Sequence, residues 1–208
     1  MGEIAKLRCV SCGREFSPGE VEYTCPDCGP RRGTLEVIYD YDRLRRTLTR
    51  AYFERETDYS MWRYLPILPI EDRRFIQPLR VGWTPVYSFP DYARELGLKD
   101  LYIKDDGRNP TASYKDRASS VVLIKAQEKE KKVVTAASTG NAASSLAGFA
   151  AATDLQTVIF VPRTAPEAKV AQLLIYGAKV FLVNGSYDVA YDLAAEAAEE
   201  FGWYNRSA

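Results

Sequence analysis

The sequence predicts an α/β protein in which a parallel sheet with flanking helices follows a small N-terminal metal ribbon. Three observations predict it. From about residue 91 onward, short strand-like runs alternate with longer helical stretches, the pattern of repeated βαβ units. All four cysteines lie near the start, as two matched C-x-x-C pairs. Hydrophobic residues make up 46% of the 208 and charged residues 27%, a globular composition able to bury a core.

The ribbon is expected over residues 1–40. Cys9-Val-Ser-Cys12 and Cys25-Pro-Asp-Cys28 are each followed at once by a glycine, Gly13 or Gly29. Such a turn lets two thiolates point at one centre, and two turns make the tetrahedral four-sulfur set that zinc favours. With Cys9, Cys12, Cys25 and Cys28 all ligating, no coordination position stays open, so the metal is structural. Disulfides fit paired C-x-x-C turns poorly in a cytosolic chain, and no βαβ pattern surrounds either pair to make a redox motif. Zinc ribbons also occur in nucleic-acid machinery, and Arg31, Arg32, Arg43, Arg45, Arg46 and Arg50 follow closely, which keeps a non-catalytic binding module as an alternative. Against nucleic acid stand Glu36, Asp40 and Asp42 among those arginines and a chain-wide balance of 28 basic to 28 acidic residues.

Residues 41–90, rich in proline and aromatic side chains without a clean period, read as an irregular segment wrapping the next domain. Tyr52, Phe53, Tyr59, Trp62 and Tyr64 are expected to pack there. Gly82-Trp83-Thr84-Pro85 is a turn before a short strand at Val86-Tyr87.

Residues 91–208 predict helix Tyr92–Leu96, strand Leu101–Lys104, helix Tyr114–Lys129, strand Val133–Ala136, helix Asn141–Ala152, strand Thr157–Val161, helix Pro166–Tyr176, strand Lys179–Val183, helix Asp188–Phe201 and a strand at Trp203-Tyr204. A parallel sheet binds ligands beyond the carboxyl ends of its strands, near helix N-termini. Two loops fall there. Residues 105–117, DDGRNPTASYKDR, open into a helix whose first turn carries Lys115, where the helix dipole favours the uncharged amine of a nucleophile or Schiff-base former. Ser138-Thr139-Gly140-Asn141 could cradle a carboxylate or phosphate. By position alone, Lys115 reads as a surface lysine and the second loop equally as a capping turn. Neither the Walker spacing nor G-x-G-x-x-G is present, which disfavours nucleotides, and with no histidine in the chain any catalysis uses other groups.

Taken together, Asn109-Pro110-Thr111-Ala112-Ser113-Tyr114-Lys115-Asp116-Arg117 and Ser138-Thr139-Gly140-Asn141 resemble the signature of fold-type-II pyridoxal-phosphate (PLP) enzymes, the tryptophan synthase β-like family. Gly82-Trp83-Thr84-Pro85 and the stretch 169–178 match as well, so the resemblance covers about residues 80 to 208. With the zinc ribbon, the chain is most similar to the threonine synthases within that family. The resemblance implies that Lys115 holds PLP and then shuttles protons, that Asn141 bonds the cofactor's phenolic oxygen, and that Ser138, Thr139 and Gly140 hold the α-carboxylate of a small-molecule substrate. It implies conversion of O-phosphohomoserine and water to threonine and phosphate. Asn205, Arg206 and Ser207, just past the last predicted strand, are candidates for the substrate phosphate, with an exposed terminus as the alternative. Ser113 and Asp116 are expected to organise the loop and helix start. Ala142 stands where many threonine synthases have a hydroxyl residue, which leaves threonine dehydratase and cysteate synthase as alternatives.

The family's glycine-rich loop for the PLP phosphate, and its hydroxyl residue facing the pyridine nitrogen, are not found before Ala208. Residues 91–208 are therefore expected to hold the small domain and the start of the larger one in a truncated chain that is inactive alone. Its uncovered apolar surface favours a homo-oligomer. No apolar run approaches the roughly 18 residues of a membrane span, so a cytoplasmic protein without a membrane partner is expected.

Overall fold

The computed structural model describes residues 4–207. Its first unit is a three-stranded antiparallel sheet of β1 (Ile4–Cys9), β2 (Glu15–Phe16) and β3 (Leu35–Tyr39), in the order β2-β1-β3, with helix α1 (Gly29–Arg32) after the second cysteine pair. Leu7 stands opposite both Phe16 and Val37. Gly13 and Gly29 adopt φ of 76° and 68°, the left-handed conformation that closes each C-x-x-C turn and that a Cβ disfavours. Among the described residues of this unit the buried apolar ones are Cys9, Phe16 and Cys25, with Leu7, Val21, Cys28 and Leu35 packed around them.

Two short helices follow, α2 (Tyr41–Thr47) and α3 (Arg50–Arg55). Each is started by a side chain that accepts an early backbone N–H, Asp40 from Arg43 and Thr49 from Tyr52. Arg45 pairs with Asp42 at 3.2 Å and Arg50 with Glu54 at 2.8 Å, so part of the arginine run forms a solvated helical face. A 3-10 segment, Met61–Ile67, carries Met61 and Trp62 into the main core. The expected packing of the aromatics holds for Trp62 but not for Tyr59 and Tyr64, which are exposed. They stack around one cation instead: the Arg63 guanidinium lies 5.5, 5.6 and 5.9 Å from the ring centres of Phe53, Tyr59 and Tyr64.

The remaining elements are β4 (Val86–Ser88), α4 (Pro90–Glu95), β5 (Tyr102–Lys104), α5 (Lys115–Glu128), β6 (Val133–Ala137), α6 (Asn141–Ala150), β7 (Gln156–Pro162), α7 (Glu167–Ile175), β8 (Lys179–Val183), α8 (Tyr187–Phe201) and β9 (Tyr204–Asn205). Strands β8-β7-β6-β9, in that order, form a parallel sheet. Side chains alternate cleanly between its faces. Val134, Ala136, Ile159 and Val161 pack with Leu123 and Ile124 of α5 and Leu146 and Phe149 of α6, whereas Ala137, Val158, Phe160 and Val183 pack with Ala190 and Ala194 of α8.

One expectation fails. The run at Leu101–Lys104 does not begin the parallel sheet but pairs antiparallel with β4, Val86 opposite Lys104 and Ser88 opposite Tyr102. Every residue of β4 and β5 is exposed. A strand of a parallel sheet is covered on both faces, and three residues flanked by Asp100 and Asp105 and ending in Lys104 cannot be.

The strand order reverses at β6. From β6 the chain moves outward through β7 to β8, then returns through α8 to place β9 on the other side of β6. That reversal is a topological switch point, where the carboxyl ends of neighbouring strands open a gap.

Candidate active site

Loop 105–114 carries the chain from β5 to α5 and is fixed by its own side chains. Asp105 accepts the Gly107 N–H at 3.0 Å. Buried Asn109 accepts the Gly82 N–H at 3.0 Å and donates to the Asp106 carbonyl at 2.9 Å. Thr111 donates both its backbone N–H, at 2.7 Å, and its hydroxyl to Asp116, whose side chain is fully buried. Ser113 accepts the Lys115 N–H at 3.1 Å. Ser113 and Asp116 thus organise the loop and helix start as expected.

Lys115 is the first residue of α5 and is half-buried. Its Nζ donates to the Tyr114 hydroxyl at 2.8 Å and lies 4.2 Å from the centre of that ring. No carboxylate pairs with it among the described residues, an amine kept available rather than neutralised. Because α5 leads into β6 and α6 leaves it, both helices run against the strand, and their N-termini lie at the carboxyl end of the sheet.

The second loop leaves β6 there. Ser138 accepts the Gly140 N–H at 3.2 Å, and Gly140 starts α6 without any side-chain cap. The first-turn N–H groups of α6 are therefore left for an anion, the arrangement by which helix N-termini bind carboxylates and phosphates. Asn141 is exposed and accepts from Lys169 Nζ at 3.3 Å. Ser138 and Thr139 are half-buried at the same turn.

Across the switch point, β9 begins one residue later than expected, so Asn205 lies within the strand. Its side chain is turned inward and accepts the Ser207 N–H at 2.8 Å. Ser207 accepts the Ala137 N–H at 3.1 Å through its hydroxyl, and its carbonyl accepts from Tyr191 Oη at 2.9 Å. Asn205 and Ser207 are thus engaged in holding β9 beside β6. Arg206 differs: its backbone N–H bonds the Thr135 carbonyl at 2.9 Å, but Nε has no partner among the described residues, and burial pushes the guanidinium below its ordinary range.

Sequence reasoning missed a second cluster beside Lys115. Arg117 grips Asp106 through two parallel bonds, Nε to Oδ2 at 2.7 Å and Nη2 to Oδ1 at 2.8 Å, and Thr84 Oγ1 donates to the same carboxylate at 2.6 Å. Arg117 foremost, helped by Thr84, holds the Asp106 carboxyl down at about 2. The partners lie at sequence separations of 11 and 22 with no helical or strand period; the one signal was their presence in motifs already flagged for other residues.

In the ribbon, the sulfurs of Cys9, Cys12, Cys25 and Cys28 all lie within 4.8 Å of one another, Cys12 and Cys25 at 3.7 Å. The Cys12 backbone N–H lowers the Cys9 thiol to about 7, while the shared bond with Cys12 raises Cys28 to about 12. Four converging sulfurs fit a tetrahedral metal, with no fifth donor from this cluster.

The parallel sheet with an amine at one helix start and an uncapped turn at the next is the fold of pyridoxal-phosphate enzymes of the tryptophan synthase β type. Residues 78–208 match the family described as pyridoxal-phosphate dependent enzyme, and the chain belongs to that family. Within it, the chain is similar to threonine synthases. It is 39% identical over 194 residues to that of Methanocaldococcus jannaschii, covering 93% of this chain and 47% of the relative. The threonine synthase of Methanosarcina acetivorans is 39% identical over 188 residues, 90% of this chain and 44% of the relative. The likeness therefore extends well beyond residues 80 to 208 into the ribbon half, and the chain spans less than half the length of either relative. Among solved structures, O-ureido-L-serine synthase superposes with a TM-score of 0.51 at 26% identity, over 59% of this chain and 40% of that one. Maize serine racemase gives 0.53 at 28%, over 59% and 37%.

Proposed function

We propose that this chain carries the cofactor lysine and the substrate-carboxylate turn of a threonine synthase, which converts O-phosphohomoserine and water to threonine and phosphate. What supports the reading is that Lys115 opens α5 and the uncapped Ser138-Thr139-Gly140 turn opens α6, two helices whose N-termini lie at the carboxyl end of the same strand.

Lys115 would hold PLP, and Asn141 would bond its phenolic oxygen. When bound, PLP supplies an electron sink for negative charge developing at substrate carbon. Lys115, once released, takes and returns a proton at Nζ, next to the Tyr114 hydroxyl. Ser138, Thr139 and the N–H groups around Gly140 orient the α-carboxylate. Arg206 would meet the substrate phosphate, with Asn205 and Ser207 beside it holding β9 in place. Cys9, Cys12, Cys25 and Cys28 hold a structural zinc as thiolates, none of them in a disulfide, which fits a reducing cytoplasm. Phe181 and Leu182 on the outer strand of the sheet and Ile175 on α7 are exposed apolar surface, suited to self-association.

The test is an absorbance titration with PLP, then borohydride reduction and peptide mapping, with Lys115→Ala as control. Reduction should fix the cofactor on Lys115 and on no other lysine. Label on other lysines, or equal label in Lys115→Ala, overturns the reading.

A further inference from the structure

We propose that the Asp106–Arg117 ion pair is a positioning device for Lys115, locking loop 105–114 and the Gly82-Trp83-Thr84-Pro85 turn onto the first turn of α5. The inference rests on the reading of Lys115 as the cofactor lysine and adds to it the residues that fix where its amine sits.

A lysine side chain has four rotatable bonds, so a helix start alone does not aim it. What bounds Lys115 is the loop before it. That loop holds Ala112 at φ 57°, a left-handed conformation that an alanine keeps only where its surroundings over-determine it. Two ties do so, and both end on the residues that directly follow Lys115. Thr111 is tied to Asp116, and Asp106 is tied to Arg117.

The second tie gathers three segments distant in sequence. Asp106 takes both Arg117 bonds and the Thr84 hydroxyl; Asn109, three residues on, takes the Gly82 N–H. Gly82 sits at φ 90°, and a Cβ there would lie 2.9 Å from Met61 N and 3.3 Å from Arg117 Nη1, so the turn rests on the guanidinium. The pair is mostly shielded, with side-chain exposures of 23% for Asp106 and 32% for Arg117, where a two-pronged bond gives geometric specificity that a surface pair does not. Both Asp106 oxygens are engaged, so it is not a free base; it acts through Lys115.

The experiment follows the acetylation rate of each lysine in the full chain without PLP, by peptide mass spectrometry, beside melting curves and PLP dissociation constants. The variants are Asp106→Asn, Arg117→Gln, both together, Arg117→Lys and Thr84→Val. In Asp106→Asn, Lys115 should react about tenfold faster relative to exposed Lys99 and Lys132, and PLP should bind about tenfold more weakly. The double variant should lose no more than the worse single one, because both act through one contact, and Arg117→Lys should fall between wild type and Arg117→Gln. An unchanged Lys115 rate, or all lysines accelerating together, overturns the proposal. If Asp106→Asn does not fold, Thr84→Val, which removes a single bond to the carboxylate, decides: about threefold acceleration confined to Lys115 supports the device and none sinks it. Borohydride label away from Lys115 overturns the cofactor reading while the acetylation result stands.

Discussion

The ribbon and the parallel sheet solve the same problem with different means. Residues 4–39 bury Cys9, Phe16 and Cys25, two of them in the four-cysteine cluster, and their strands pair outward-facing residues such as Arg8 with Glu36. The sheet is covered on both faces, α5 and α6 against Ile159 and Val161, α8 against Val158 and Phe160. Apolar burial contributes about 25 cal/mol per Å², so the sheet region has a core to hold it together, while the ribbon has little core beyond its converging cysteines.

The largest expected effect separates the two. Chelation, or Cys25→Ser, should unfold the ribbon and leave the sheet, since structural zinc contributes on the order of 10 kcal/mol to such units. Hydrogen exchange should become fast in β1 and β3 and stay slow in β6 and β7. Equal loss in both, or no loss in the ribbon, would break the comparison. In the other direction, Leu123→Ala, at a fully buried position of α5, should cost about 3 kcal/mol and shift the sheet's transition without releasing metal.

Acid should divide the regions next. The Asp106 carboxyl is held at about 2 by Arg117, below its ordinary value. A depressed carboxyl stabilises the fold above its unfolded value, and that contribution disappears as pH falls from about 4 towards 2, an amount of about 2 kcal/mol. Asp106→Asn should flatten the stability profile in that window. The ribbon should fail at higher pH, where thiolates take up protons and release metal. A ribbon that outlasted the sheet in acid would contradict both assignments.

The same contrast governs what the sequence discloses. The convergence of the four cysteines is legible because it is coded by local spacing, C-x-x-C and glycine. Most α/β elements are legible for a like reason: α5 was expected at 114–129 and lies at Lys115–Glu128, and β8 lies where expected, at Lys179–Val183. Lys115 and the Ser138–Asn141 turn stand out because each follows a strand and opens a helix. Strand order is not local, so neither the antiparallel pairing of β5 with β4 nor the position of β9 beside β6 could be read. For the same reason the bonds by which Asn205 and Ser207 tie β9 to β6 were not legible. Asp106, Thr84 and Arg117 went unread because a bond across separations of 11 and 22 residues leaves no period in the chain.

The smallest effect tests whether the two regions communicate. They touch where Lys129 of α5 meets Glu22 at 2.6 Å and where the Tyr23 and Tyr204 rings lie 5.9 Å apart. The ion pair is open to solvent, 38% and 43% exposed, so Lys129→Ala should cost no more than about 0.5 kcal/mol and vanish in high salt. Of the two rings Tyr23 is exposed and Tyr204 half-buried, and Tyr204 opens the strand that continues into Arg206. Tyr23→Ala should therefore cost about 1 kcal/mol and speed exchange at β9 more than at β7. Equal exchange at β9 and β7 in Tyr23→Ala would mean that the ribbon is attached to the sheet but does not brace it.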